Sequence, residues 1–178
     1  TPTDGMLHGI VTWAAATLLG LPAPTRPRGA TSLAFAAPTA PWRGRDLLLN
    51  GEGSGPVNSL VVSSELSEAT APAGAALATV ASIDAHPEGD DALERAVRRQ
   101  LTDWFGAEVA HWRLLRLHRI RYAQPDQLPE DLDPIERPVR LGAGRYVAGD
   151  HRETASLHGA RHSGRRAAEA LLADRGAA

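Results

Sequence analysis

The sequence predicts a mixed α/β fold, α+β in parts, with a strand-rich segment inserted between two outer pieces of one domain. Three observations predict it. Short apolar stretches bounded by turn residues fill residues 31–83, as in a sheet of short strands. A single well-bounded amphipathic helix follows at Glu88–Phe105. The chain then ends in a strand, a polar turn and a helix over Arg140–Leu172.

Composition narrows the classes of function. The 178 residues, 43% hydrophobic and 22% charged, suffice for one domain or one and a half with a real core. A net charge of −2 argues against a polyanion partner, and the lack of cysteine excludes disulfides and thiolate metal sites. The chain starts at Thr1 without an initiator methionine, so we expect it to be a piece of a longer protein.

The longest apolar stretch does not predict a membrane segment. Met6–Leu21 is shorter than the roughly 20 residues that a spanning helix needs, and His8 interrupts it. No basic segment precedes it, so it is a poor signal peptide. We therefore expect a cytoplasmic protein without a transmembrane segment, and leave contact with a membrane surface open.

The first part of the chain reads as a short helix, a connector and four strands. Trp13–Leu19 predicts the helix, and the connector covers residues 22–30. Short strands with tight connections favour a curved antiparallel sheet. The four predicted strands are Thr31–Ala36, Leu47–Leu49, Leu60–Val62 and Leu77–Ile83.

The helix Glu88–Phe105 carries start and stop signals. Asp91 and Glu94 fit a capping box, and Gly106 ends the helix. One stripe of apolar residues would face the core. It consists of Leu93, Val97, Leu101, Trp104 and Phe105.

A basic strand is predicted at Trp112–Tyr122, before a loop at Gln124–Pro138. Nucleic-acid binding is one interpretation, but the overall acidic balance favours an edge strand protected by charge. Tyr122 either lines a ligand pocket or packs in the core. The basic residues are Arg113, Arg116, Arg119 and Arg121, with His111 and His118.

The last unit predicts a site for a polar ligand. A strand at Arg145–Ala148 ends on Gly149-Asp150, and a helix opens near Gly159. The Asp150 carboxylate can accept hydroxyl hydrogen bonds, and the free N–H groups of the helix start favour an electron-rich oxygen. The predicted packing face of the helix is Ala160, Ser163, Gly164, Ala167, Ala168, Leu171 and Leu172.

This unit resembles the C-terminal flavin-binding segment of the flavin-containing amine oxidase superfamily, which includes protoporphyrinogen oxidases and phytoene desaturases. The matching segments are Tyr146–Asp150, Thr154–Ala160 and Ser163–Ala168. The resemblance implies that Asp150 holds a ribityl hydroxyl of FAD and that backbone N–H groups face the pyrimidine end of the flavin ring. The cofactor-binding residues it implies are Gly149, Asp150, Ser156, Leu157, His158, Gly159 and Ala160.

The resemblance also implies a fold and a domain layout. The chain would be the C-terminal part of a FAD-binding Rossmann-like domain with an inserted antiparallel-sheet substrate domain. Residues 1–27 would end one FAD-binding segment, residues 28–138 would form the substrate-domain sheet with its helix at 89–105, and residues 139–178 would be the FAD-binding strand, turn and helix. A Gly-x-Gly-x-x-Gly fingerprint is missing, so the ADP half of FAD has no home in this chain.

The function implied is a FAD-dependent oxidoreductase that oxidises a C–H or C–N bond by hydride transfer to flavin, with an apolar or amine substrate. It would be an enzyme if joined to the missing dinucleotide-binding half, and no acid–base catalyst is identified. The alternative is a non-catalytic partner subunit or decayed fragment that does not bind FAD by itself. Two other classes are disfavoured. Neighbouring arginines oppose a metal at His158 and His162, near His151 and Glu153, and no serine has the flanking glycines of a nucleophile elbow.

Overall fold

The computed structural model describes residues 27–83 and 88–176. They form two compact units, of which the first spans residues 28–123 and the second takes in residue 27 and residues 124–176. The predicted helix at Trp13–Leu19 and nearly all of the predicted segment 1–27 lie outside the described residues. The boundary between the units follows Ala123, whereas the sequence predicted a boundary at residue 138.

The first unit contains a five-stranded sheet. Its strands are β1 (Pro27–Ala37), β2 (Leu47–Leu49), β3 (Ser59–Val62), β4 (Ala76–Ile83) and β5 (Arg113–Pro125). Their order across the sheet is β2-β3-β4-β1-β5. The pairs β1–β4, β2–β3 and β3–β4 are antiparallel, which confirms the predicted antiparallel sheet in a mixed α/β chain. β5 lies at one edge of the sheet, as predicted for the basic strand.

One face of this sheet forms the core against a long helix. Between β3 and β4 the chain makes a one-turn helix, α1 (Ser63–Leu66), and after β4 it forms α2 (Asp90–Phe105). Register places Leu33 opposite Val80, and both are fully buried. Alternation along each strand puts every second side chain on this face, so the period-two pattern of the sequence encodes the core. The helix contributes Leu93, Val97 and Leu101, all fully buried.

An aromatic cluster closes the core where α2 ends. The ring of Trp112 lies 6.0 Å from that of Phe35 and 5.9 Å from that of Phe105, between centroids. The Arg98 guanidinium lies 5.1 Å from the centre of the Phe35 ring, which suits a cation–π contact. The predicted apolar stripe of the helix is therefore confirmed, including its C-terminal aromatic residues.

The predicted capping box of α2 is wrong. Gly89, not Asp91, precedes the first helical residue, and no side chain of the described residues caps the helix start. Glu94 instead accepts a hydrogen bond from Arg98 Nε at 2.7 Å, one turn further along. The predicted stop is confirmed, because Gly106 follows the helix with φ of 82° and donates its N–H to the Thr102 carbonyl. A left-handed conformation of this kind favours glycine.

The second unit consists of a small hairpin and a long helix. β6 (Arg140–Gly142) pairs antiparallel with β7 (Arg145–Tyr146), and α3 spans Leu157–Gly176. The predicted strand Arg145–Ala148 is therefore too long, because its last two residues leave the hairpin. The predicted loop Gln124–Pro138 includes the end of β5 and a 3-10 turn at Pro129–Leu132.

An ion-paired cluster joins the hairpin to the last turns of α3. Arg140 donates two hydrogen bonds to the Asp174 carboxylate, from Nε at 2.9 Å and from Nη2 at 3.1 Å. The Tyr146 hydroxyl donates to the same carboxylate at 2.5 Å. These contacts fix how the helix is rotated against the hairpin.

The observed packing face of α3 differs from the predicted one. Gly159, Ser163 and Ala170 are the buried residues of the helix. Ala168 and Leu172, which the sequence placed on the packing face, are exposed, Leu172 by 68%. The buried face of α3 is thus displaced around the helix axis by about one residue position from the predicted face. Over residues 27–83 and 88–176, no helix is long and apolar enough to span a membrane.

Candidate functional site

The predicted site centres on the turn that follows β7. Gly149 has φ of 150° and ψ of 166°, a conformation that side-chain-bearing residues rarely adopt. A Cβ added there would lie 2.6 Å from two atoms of the His151 ring, because that imidazole folds back over the glycine. The backbone angle therefore favours glycine at this position, and any side chain there would also displace the His151 imidazole.

Ser163 of α3 connects the turn to the helix through hydrogen bonds. Its fully buried hydroxyl accepts a hydrogen bond from the Gly149 N–H at 3.0 Å and lies 2.8 Å from the Gly149 carbonyl, to which it can donate. The Ala160 carbonyl, at 3.0 Å, is a second acceptor for the same hydroxyl. The sequence identified Ser163 only as a small packing residue, so its hydrogen-bonding role is new.

The Asp150 carboxylate stands directly after this fastened glycine. It begins a 3-10 turn at Asp150–Arg152, and its Oδ1 accepts the His151 N–H at 2.9 Å. The side chain is half-buried and forms no salt bridge with any residue that the structure describes. One carboxylate oxygen thus remains available to accept a hydroxyl hydrogen bond.

The start of α3 leaves two backbone donors available. Ser156 caps the helix, since its Oγ accepts the Gly159 N–H at 3.0 Å, and its carbonyl accepts the Ala160 N–H at 3.0 Å. The Ser156 N–H itself donates to the Thr154 carbonyl at 2.7 Å. Among the described residues, the N–H groups of Leu157 and His158 have no acceptor. Of the four amides that the resemblance implied, Leu157 to Ala160, these two are therefore available.

Gly159 permits a close approach of the helix to the preceding turn. A Cβ at this position would collide with the Thr154 carbonyl oxygen and would lie 2.9 Å from its hydroxyl. The small residue predicted for close packing is thus required here by the turn that precedes the helix.

Gln127 holds the segment between Asp150 and α3, a role that no pattern in the sequence indicated. Its side-chain oxygen accepts the Ala155 N–H at 2.7 Å, and its Nε2 donates to the Glu153 carbonyl. The Glu153 side chain in turn pairs with His162 Nδ1 at 2.5 Å. In the sequence, Glu153 and His162 stand out only as members of a metal site that the neighbouring arginines disfavour.

The histidines do not assemble with carboxylates into a metal-binding group within residues 27–83 and 88–176. His162 is hydrogen-bonded to Glu153, whereas His158 is exposed. His151 is half-buried beside Gly149. Burial lowers its pKa first, and the positive charges of Arg152 and Arg137 lower it further, against the opposing effect of Asp150.

The basic strand β5 presents mostly exposed charge. Arg113, Arg116 and Arg121 are exposed, while Arg119 pairs with Asp90 at 2.6 Å. Tyr122 is 48% exposed, so its predicted alternative of core packing is wrong.

Two solved structures are similar to this chain. An oxidoreductase from Methanosarcina mazei superposes with a TM-score of 0.56 at 17% identity, over 89% of this chain and 37% of that one. A protein from Pyrococcus furiosus gives a TM-score of 0.53 at 16% identity, over 82% of this chain and 32% of that one. The chain thus spans about a third of the length of each. A comparison with curated proteins gives no match.

A comparison with protein families gives a match over most of the chain. The model of the family described as flavin containing amine oxidoreductase matches residues 28–172, which include most of both compact units and the whole Gly149–Ala160 site. The match runs through the sheet as well as the predicted flavin-binding segment. The chain therefore belongs to the flavin-containing amine oxidoreductase family.

Proposed function

We propose that this chain is the flavin-facing part of an FAD-dependent oxidoreductase that oxidises a C–H or C–N bond. The observation that carries the proposal is the arrangement of two kinds of free polar group. Asp150 keeps a carboxylate oxygen available, and the Leu157 and His158 amides open at the start of the 20-residue helix α3. Ser163 holds the turn and the helix in one fixed relation.

The residues present fit the central portion of FAD. A carboxylate suits a ribityl hydroxyl, and the two amides, with the partial positive charge of the helix start, suit the electron-rich pyrimidine oxygen of the ring. Ser163, in the same helix that begins with these amides, hydrogen-bonds Gly149, the residue before Asp150. The diphosphate of FAD would need the glycine fingerprint, which the sequence lacks, so a Rossmann-like FAD domain would be completed by residues outside this chain.

In this proposal the protein binds and orients, and the cofactor supplies the reactivity. When bound, FAD supplies the acceptor for the hydride removed from substrate. Asp150 fixes the ribityl chain and thereby the distance of the ring from α3. The α3 start stabilises negative charge that develops at the pyrimidine end. No side chain is assigned as an acid–base catalyst.

The sheet of the first unit supports an apolar or amine substrate. Register places Leu47, Val61, Thr79 and Ala34 in one row across the face opposite the core. A neighbouring row contains Leu49, Ser59, Ala81 and Ser32. None of these eight residues is charged and five are aliphatic, which suits an apolar ligand. Three further expectations from the sequence stay predictions. They are that nucleic acid is not a partner, that the chain pairs with a dinucleotide-binding half, and that the protein is cytoplasmic.

Absorbance in the flavin bands tests the proposal. The purified chain is mixed with FAD, freed of unbound FAD, and scanned, with thermal unfolding measured in parallel. Asp150→Asn keeps the shape and removes the charge, so we expect a loss of roughly 1.5–3 kcal/mol in binding, or about 10- to 150-fold in affinity. Asp103→Asn, on the exposed side of α2, is the matched control and should bind as the wild type does.

Two results would contradict the proposal in different ways. A protein whose unfolding temperature does not change with FAD in excess would contradict flavin binding by these groups and favour the second candidate, a non-catalytic partner subunit, which the missing fingerprint supports. Loss of colour on removal of unbound FAD is not by itself such a result, because the diphosphate site would lie outside this chain. Equal FAD binding by wild type and Asp150→Asn would show a flavin site elsewhere in the chain.

A further inference from the structure

Arg152 is an arginine whose backbone is hydrogen-bonded and whose side chain has no partner among the residues that the structure describes. Its N–H donates to the Gly149 carbonyl at 3.0 Å, and its carbonyl accepts the Arg137 N–H at 3.0 Å. The guanidinium, by contrast, makes no hydrogen bond and no ion pair with any residue that the structure describes. Its Nε is buried without an acceptor.

The other partly buried cations of this unit are each compensated. Arg137 pairs with Asp131 at 2.9 Å and also donates to the Asp131 carbonyl. Arg166 lies 3.5 Å from a Glu136 oxygen and donates to the Arg137 carbonyl at 3.2 Å, so its charge has a partner although its Nη1 is buried without an acceptor. Compensation is thus the rule in this unit, and Arg152 is the exception among the residues compared.

The carboxylates nearest to Arg152 in the chain do not pair with it. Asp150 accepts the His151 N–H with one oxygen and keeps the other available, and Glu153 pairs with His162. The pKa of Arg152 is lowered by burial and by the positive charge of Arg137. The charged form of this guanidinium is therefore disfavoured by its surroundings in the ligand-free protein.

A partly buried cation without a counter-charge destabilises a protein unless a ligand supplies the charge. Residues kept at such a cost to stability are typical of binding sites. The forked guanidinium matches the oxygens of a phosphate or a carboxylate and can bind either through two parallel hydrogen bonds.

We propose that Arg152 is the anion-binding residue of a site beside the Gly149–Asp150 turn, where it binds an oxyanion of a ligand. Two sources carry such a group. One is the phosphate of a nucleotide cofactor, and the other is the carboxylate of an acidic substrate. The proposal rests on the surroundings of Arg152 alone and holds whether or not the chain binds flavin.

The test uses thermal unfolding of the purified chain titrated with sodium pyrophosphate or sodium acetate, at constant ionic strength. Arg152→Met removes the charge and keeps an apolar stem. Without added anion, we expect Arg152→Met to unfold at a higher temperature than the wild type. With pyrophosphate or acetate, the wild type should show a saturable rise in unfolding temperature, and Arg152→Met should lose at least tenfold in apparent affinity. Arg161→Met, an exposed arginine in the first turns of α3, is the matched control and should respond as the wild type does.

The outcomes separate the sources and the possible errors. If the rise in unfolding temperature saturates at a much lower concentration of pyrophosphate than of acetate, the ligand is a phosphate. If acetate saturates at the lower concentration, the ligand is a carboxylate. An unfolding temperature lowered by Arg152→Met, or a variant that fails to fold, would mean that the arginine is structural and would overturn the proposal, as would an anion effect that is absent or equal in all three proteins. Arg152→Lys should retain weakened binding. Because FAD is not used, failure here is distinct from failure of the flavin proposal.

Discussion

Replacing Ser163 by alanine tests how the turn is held to the helix. The change deletes a fully buried hydroxyl that accepts the Gly149 N–H and contacts the Gly149 and Ala160 carbonyls. An N–H left without an acceptor costs about 1–3 kcal/mol. Alanine is the better helix former by roughly 0.5 kcal/mol, which offsets part of this loss. We therefore expect the free energy of unfolding to fall by about 0.5–2.5 kcal/mol, combining these two contributions.

Hydrogen exchange at the Gly149 amide gives the local readout. Opening of this amide should become easier by about 1–3 kcal/mol, so its protection should fall roughly 5- to 150-fold. Urea denaturation followed by circular dichroism gives the global value. Ala168→Ser, at an exposed position of the same helix, measures the propensity change alone and with opposite sign. Unchanged Gly149 protection with a stability gain in Ser163→Ala would refute the reasoning, because it would show that the hydroxyl contributes nothing to the turn.

The remaining predictions concern the close approach at Gly159 and the Asp174 cluster. Gly159→Ala should destabilise the second unit by about 1–3 kcal/mol through the collision with Thr154, whereas Gly164→Ala, with open space around its Cβ, should stabilise it by about 0.5–1 kcal/mol. Thermal unfolding compares the two, and an equal effect of both changes would contradict the close approach. The pKa of Asp174 is lowered, first by its hydrogen bond to Arg140 and then by that to Tyr146. Its stabilising contribution is therefore complete above the ordinary value of 3.8 and is lost as the pH falls through the lower pKa of the folded protein. Wild type should unfold at a higher temperature than Asp174→Asn at pH 6, and the difference should shrink below about pH 4; a constant difference would argue against the ion pair.

The sheet was predictable because its information is local. Alternation along β1 and β4 marks the buried face, and turn residues bound each strand, so the predicted and observed ends differ by a few residues. The predicted helix cap failed because the helix begins at Asp90, so Asp91 lies inside its first turn and cannot cap it. Glu94 pairs instead with Arg98 one turn ahead.

The rotation of α3 could not be predicted from the distribution of small residues. Alanine and glycine occur all round this helix, so a stripe of small side chains can be drawn on more than one face. Residues distant in sequence determine which face of α3 is buried. Arg140 and Tyr146 hydrogen-bond to Asp174, and Ser163 hydrogen-bonds to Gly149. Gln127 and the lone guanidinium of Arg152 carry no local pattern either, because their roles depend on which backbone groups and charges the fold brings near them.

The hydrogen bonds to Asp174 lie beyond the span that the family model matches. That match ends at residue 172, two positions before the aspartate that receives three hydrogen bonds from Arg140 and Tyr146. A chain trimmed to the matched span would keep every residue of the ligand turn and yet lose the bonds that hold the far end of the supporting helix. A truncated chain should therefore include the last turn of α3.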